Sequence, residues 1–183
     1  MATATTGSFY LTETVILPTD SIDSSRFQGT LDLSAYINVP TGQAIAIDMV
    51  DFIWQEGADY GQEVSNMLKG SNGALSAQLT DLNPGTAFVR ADNQSLVASG
   101  ALNIDINNNV ATHTADLYPD SYGPAGLSDS FLVVNDQLYL TAGVDGSTVD
   151  AEVACTVRVR ARVVKLSTKD WMAIAIQSTA SDN

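Results

Sequence analysis

Gln43-Ala44-Ile45-Ala46-Ile47-Asp48-Met49-Val50-Asp51-Phe52-Ile53-Trp54 is the stretch on which the fold turns. Ile45, Ile47, Met49 and Ile53 alternate with Ala46, Asp48, Val50, Phe52 and Trp54, so both faces are largely apolar. Successive side chains of a strand point to opposite faces, and a strand apolar on both belongs inside a sheet, between two layers. Pro40-Thr41-Gly42 turns the chain ahead of it. Behind it, residues 56–73 form a polar, glycine-bearing loop, in which Val64, Met67 and Leu68 predict a short helical turn.

Period-2 patterning continues on either side. Upstream, strands are expected at 8–17, stopped by Pro18, and at 27–37, with Leu31, Leu33, Ala35 and Ile37 on one face. Downstream they are expected at 74–81, 86–90, 95–106 and 110–117, separated by Asn83-Pro84-Gly85, Asp92-Asn93 and Asn107-Asn108-Asn109. A second loop, rich in proline and glycine, covers 118–129. The last two strands are expected at 131–142 and 151–166. Short strands between turns and long loops are the pattern of a β-sandwich or barrel. One helix is expected over 167–177, with Ser167 or Thr168 as cap and Asp170 in its first turn. No internal repeat or second boundary shows, so residues 1–183 read as one all-β domain, with 1–6 and 178–183 as flexible tails.

Composition narrows the function. A chain of 183 residues with 45% hydrophobic and 16% charged side chains is unlike a disordered acidic polypeptide. No apolar run approaches the roughly 18 residues of a membrane span, so no transmembrane segment is expected. The net charge of −13, carried by 17 Asp and 4 Glu against 8 Lys and Arg, repels phosphate backbones and argues against direct nucleic-acid binding. The dominance of Asp and scarcity of Lys also suit a saline habitat. The first seven residues lack the charged and apolar regions of a secretory signal. One cysteine and one histidine remove disulfide frameworks, multi-cysteine zinc sites and most triad chemistry.

The local candidates are few. Arg158, Arg160 and Arg162 stand two apart on one strand face, about 7 Å from one another. One reading is a basic stripe that contacts a neighbouring subunit or an anionic polymer. The favoured one, with 21 acids in the chain, is a row of cross-strand pairs with Asp or Glu, inside the chain or across an interface. Cys155 shares a face with Val153, Val157 and Val159 and reads as a buried, inert thiol. His113, among threonines and Asp116, has no nucleophile motif to serve. Asn103 to Asn109 has oxygen ligands at alternate positions, yet Val110 stands where a calcium loop needs Gly, and Asp116 where it needs Glu. Asn93-Gln94-Ser95 is a glycosylation triplet and a hint of exposure only. No catalytic residue, cofactor site or metal site is predicted.

Two further stretches carry a resemblance. Ser130-Phe131-Leu132-Val133-Val134-Asn135-Asp136-Gln137-Leu138-Tyr139-Leu140 is followed by the long strand beginning at Cys155-Thr156-Val157-Arg158 and a short terminal segment reaching Trp171. This Val-Asn-Asp-x-Leu-Tyr-Leu strand, long penultimate strand and terminal helix resemble single jelly-roll capsid proteins. The likeness is closest to the small major capsid proteins of icosahedral, membrane-containing archaeal viruses, haloarchaeal ones above all, and spans roughly residues 27 to 177.

The resemblance implies a single jelly-roll β-sandwich of two antiparallel four-stranded sheets with a short C-terminal helix. It further implies a virion protein that associates with like or other capsid subunits, and that contacts an internal virion membrane or its proteins. No catalytic residues come with it, and the missing basic N-terminal arm fits a shell separated from its genome. Trp54, Trp171, Phe131 and Tyr139 are then the expected aromatic anchors of subunit contacts. A secreted or surface binding module, lectin-like or adhesin, is the alternative, with an aromatic-and-carboxylate site near 56–72 or 118–122. An enzyme on a jelly-roll scaffold is disfavoured, because cupin-type metal sites need several histidines and only His113 exists.

Overall fold

In the computed structural model, which describes residues 2–58, 66–117 and 130–180, two long strands form a spine. β4 (Gln43–Glu56) and β12 (Val153–Lys165) run antiparallel, from Val153 opposite Glu56 to Lys165 opposite Gln43. Along β12 the alternate residues Val153, Cys155, Val157, Val159, Ala161 and Val163 are all buried in one core. β-Branched valines suit such a half-buried pleated surface.

β4 departs from the strict alternation expected of it. Arg160 lies opposite Met49 and Ala161 opposite Ile47, so Asp48 is an extra residue in a β-bulge. Parity reverses there, and Ile45 and Ile47 before the bulge enter the same core as Val50, Phe52 and Trp54 after it. Strict alternation would put the Asp48 carboxylate between two apolar layers, at a cost of several kcal/mol. The bulge turns it to the outer face instead.

The first sheet has the order β9 (Phe131–Val133), β4, β12, and then an edge shared by two strands. β1 (Thr3–Ala4) pairs with Val164 and Lys165, and β2 (Phe9–Leu17) pairs with Val153 to Ala161. The second sheet runs β3 (Arg26–Asp32), β10 (Gln137–Asp145), β6 (Gly73–Thr80), β7 (Leu96–Asp105), β8 (Val110–Leu117). β5 (Leu68–Lys69) and β11 (Thr148–Val149) make a separate two-stranded ribbon. All of these pairings are antiparallel. Each main sheet thus holds five strands rather than four, because β1 extends the β2 edge and β8 is added beyond β7.

The core lies between the sheets. Leu75, Leu79, Leu138, Leu140 and Val144 of the second sheet join Val15, Ile45, Phe52 and the inward row of β12 from the first. The outer faces are partly covered. α1 (Thr168–Ala180) lies on one end of the first sheet, where Trp171, Ile174 and Ala175 pack on Ala44, Ala46, Val164 and Leu132. Small alanines on β4 let the helix approach, and Ser167 Oγ caps it by accepting from the Asp170 N–H at 3.2 Å.

Several expectations are corrected. Residues 86–90 form no strand: the Gln78 side-chain amide accepts from Val89 N–H at 2.8 Å and donates to Val89 C=O at 2.9 Å. A side chain thereby stands in for a ladder partner and holds the loop on the outer face of the second sheet. The strand expected over 131–142 is two, β9 and β10, in different sheets. At the crossing, Leu33 N–H donates to Asp136 C=O at 2.7 Å and Asn135 Nδ2 to Asp81 C=O at 2.9 Å. β3 ends at Asp32, whose carboxylate accepts from Ser34 N–H at 2.8 Å, a local turn that competes with the strand expected to reach residue 37.

Leu68 is in β5 rather than a helical turn, while Val64 lies outside the described residues, as does the loop expected over 118–129. The amino-terminal stretch expected to be loose is tied to β12 beyond β1 as well. Thr5 N–H donates to Val163 C=O at 2.9 Å, and Thr6 Oγ1 accepts from Val163 N–H at 3.0 Å. Residues 181–183 of the expected carboxy-terminal tail lie outside the described residues.

Candidate interaction surface

Alternation along β12 carries Arg158, Arg160 and Arg162 to the outer face of the first sheet, as their spacing predicts. Their surroundings then differ. Arg162 is captured: Nε and Nη2 donate to the two Asp48 carboxylate oxygens at 2.8 and 2.6 Å. Ser130 Oγ donates to Asp48 Oδ1 at 2.8 Å and accepts from Arg162 Nη2 at 3.3 Å, closing a triangle. The Asp48 side chain is 6% exposed and that of Arg162 16%, so both charges are largely withdrawn from water. The cross-strand pairing expected of the stripe is realised here, with a carboxylate that the bulge delivers.

Arg160 is half-buried between Tyr10 on β2 and Met49 on β4, its register neighbours. Its Nε is buried without a hydrogen-bond partner. Arg158 is exposed, and its guanidinium lies 4.9 Å from the centre of the Tyr10 ring, a cation–π contact. Across the ladder Arg158 faces Asp51, also exposed, yet among the described residues the two form no ion pair.

The rest of this face is mixed. Tyr10, Thr12, Thr14 and Ile16 of β2 point outward and are exposed, and Thr14 and Thr156 share a hydrogen bond of 2.8 Å between hydroxyls. Ile53 and Met49 of β4 are half-buried beside them. α1 covers only the end of the face where Ala44, Ala46 and Val164 lie, so the part running from Arg160 to Ala154 is left bare by it.

The two tryptophans separate. Trp54 is 9% exposed and packs in the sandwich core, so its ring is not on the surface where an interface anchor must be. Trp171 is half-buried under α1, against the small cluster on the outer face. Of the other aromatic candidates, Tyr139 donates its hydroxyl to Gln137 Oε1 at 2.7 Å, and Phe131 borders a cleft. That cleft, about 270 Å³, lies between the end of α1, β9 and the start of the loop after β6. Asp81, Gln94, Ser130 and Gln177 supply its polar groups, and Gln177 Nε2 donates to Gln94 Oε1 at 2.7 Å along one side.

Cys155 is fully buried, and burial pushes its thiol far above the usual range, as expected of an inert core cysteine. His113 is exposed on β8. Among the described residues no group of three or more His, Cys, Asp or Glu side chains is placed to hold a metal ion, and no helix is long and apolar enough to cross a membrane.

Sequence reasoning overlooked Asp48, Tyr10 and Asp51 as members of this surface. Asp48 had a signal, being a carboxylate in the alternate row that Ala46, Val50, Phe52 and Trp54 otherwise make apolar. Tyr10 and Asp51 had none, since only the β2–β12–β4 register brings them beside Arg158 and Arg160. No protein-family model matches the chain, and no curated protein matches it by sequence.

Proposed function

We propose that this chain is a structural subunit of an icosahedral virus shell, a major capsid protein that acts by self-association into capsomers. The observation that carries the reading is strand order. β2-β12-β4-β9 faces β3-β10-β6-β7, with β8 appended, and β2 to β3 and β9 to β10 each pass from one sheet to the other. Such an order supports a single jelly roll, an eight-stranded double Greek key shared by viral capsid, lectin and cupin domains.

Fold alone leaves function open, and two other features favour a shell over the rest. The net charge of −13 suits a subunit that does not touch the genome directly, in a virion whose membrane lies between shell and nucleic acid. The outer face of the first sheet bears exposed Tyr10 against Arg158 and exposed Ile16 farther along the same strand as Tyr10, a composition suited to protein contacts. Its partners are other capsid subunits, and its role is mechanical rather than catalytic.

Sedimentation velocity and negative-stain imaging of the purified protein, across concentration and salt, test this. Regular assemblies well above monomer mass are expected; a monomer under every condition overturns it. The cleft at Asp81, Gln94, Ser130 and Phe131 favours the second reading, a lectin-like or adhesin module. Glycan-array binding by a monomer would establish that one instead.

A further inference from the structure

We propose that the bare half of the outer face of the first sheet binds a second copy of this chain, through Arg158 of each copy and Asp51 of the other. The proposal rests on the shell-subunit reading and names the surface by which copies meet. β2, β12 and β4 lie side by side there in four rows: Ile16–Ala154–Gln55, Thr14–Thr156–Ile53, Thr12–Arg158–Asp51 and Tyr10–Arg160–Met49. Tyr10 is 51% and Ile16 41% exposed, so the patch presents apolar surface on both sides of its charged row. Buried aromatic and aliphatic groups around a few charges make up the core of typical protein interfaces.

Charge selects the occupant. Side chains directly opposite on neighbouring strands are close enough to pair, yet Arg158 leans over Tyr10 on β2, away from Asp51 on β4. A positive and a negative group therefore stand next to each other, both exposed and neither neutralising the other. A surface carrying its own complement in this way is self-complementary about a two-fold axis, which brings each Arg158 to the other copy's Asp51. With Arg160 the patch is locally cationic on a chain of net −13, so it is also the ground on which a second acidic copy meets least repulsion. Salt screens the remaining repulsion beyond about 10 Å at 0.1 M ionic strength. A phosphate polymer or an anionic bilayer would also meet the two arginines, but it carries no cation to answer Asp51, which a second copy does.

The test is sedimentation velocity on the full chain as wild type, Arg158→Asp, Asp51→Arg, and an equimolar mixture of the two variants. Circular dichroism checks that each variant is folded. Ile16→Lys, which puts a charge on the apolar border of the patch, is a second probe that leaves Arg158 and Asp51 in place. The wild type is expected to self-associate, and each variant alone to do so at least tenfold more weakly. The mixture is expected to recover the wild-type complex, because each variant offers the charge the other has lost. If the wild type assembles and neither the charge variants nor Ile16→Lys weakens it, this surface is not the contact, while the shell reading stands. Weakened variants that the mixture does not rescue overturn the two-fold Arg158–Asp51 pairing. A wild type that stays monomeric at all concentrations overturns both readings. Binding of phosphatidylglycerol vesicles by that monomer, lost in Arg158→Asp, would make the face a membrane surface instead.

Discussion

Arg162 and Asp48 form a bidentate ion pair across β12 and β4, although the residue opposite Arg162 in the ladder is Ala46. The bulge makes the pair possible. With Asp48 as the extra residue, Ile45 and Ile47 keep their place in the core while the carboxylate faces outward, beside Ser130. One local irregularity thus preserves an apolar core and neutralises one of the three stripe arginines. It leaves Arg158 as the exposed one.

Breaking this pair on one side is expected to be costly. Arg162→Met leaves Asp48 nearly buried with only Ser130 to satisfy it, a loss of about 3–5 kcal/mol of the kind seen when one member of a buried pair is removed. Arg162→Met combined with Asp48→Ala should cost much less than the sum of the two single changes. Urea unfolding of the wild type and three variants measures the coupling, and additive losses would show that the pair contributes nothing.

Glu13 predicts a pH dependence of stability. It points from β2 into the seam between the sheets, over Gly29 of β3, where a Cβ on that glycine would come within 2.8 Å of its carboxylate oxygen. Partial burial raises the carboxyl above its usual range, so the folded state holds the proton more tightly than the unfolded chain. Ionisation therefore works against folding: this group favours the fold below its unfolded pKa, and that contribution disappears as pH rises through the folded one. Glu13→Gln is expected to stabilise the protein at pH 7 by a few tenths of a kcal/mol, solvent screening keeping it small. The gain should vanish below about pH 4, where both chains are neutral at this position. Thermal melts of the two proteins from pH 3 to pH 8 check the sign.

Gln78 predicts where the surface opens. Its amide supplies both hydrogen bonds that fix Val89, and Arg90 beside it is exposed. Gln78→Ala should leave the two sheets intact but release this loop, at about 1 kcal/mol per hydrogen bond lost. Limited trypsin digestion should then cut after Arg90 several-fold faster than in the wild type. An unchanged cleavage rate would mean that other contacts hold the segment.

The all-β character, the central position of β4, the long β12 with its outward arginines and the capped terminal helix were all legible in the sequence. Each rests on a local periodicity that a few neighbouring residues dictate: period 2 for a pleated strand, a cap and first-turn acid for a helix. Three decisions were not local. The alternation in β4 had to break at Asp48 because a carboxylate could not enter the core, and its partner Arg162 is 114 residues away. The run after Ser130 had to divide between two sheets because Asp136 and Asn135 are held by Leu33 and Asp81 from other parts of the chain. Arg158, Arg160 and Arg162, alike in spacing, came to differ through what β2 and β4 place beside them. Amino-acid order determined which residues face out; only the tertiary pairing decided which of those charges are answered among the described residues and which stay exposed.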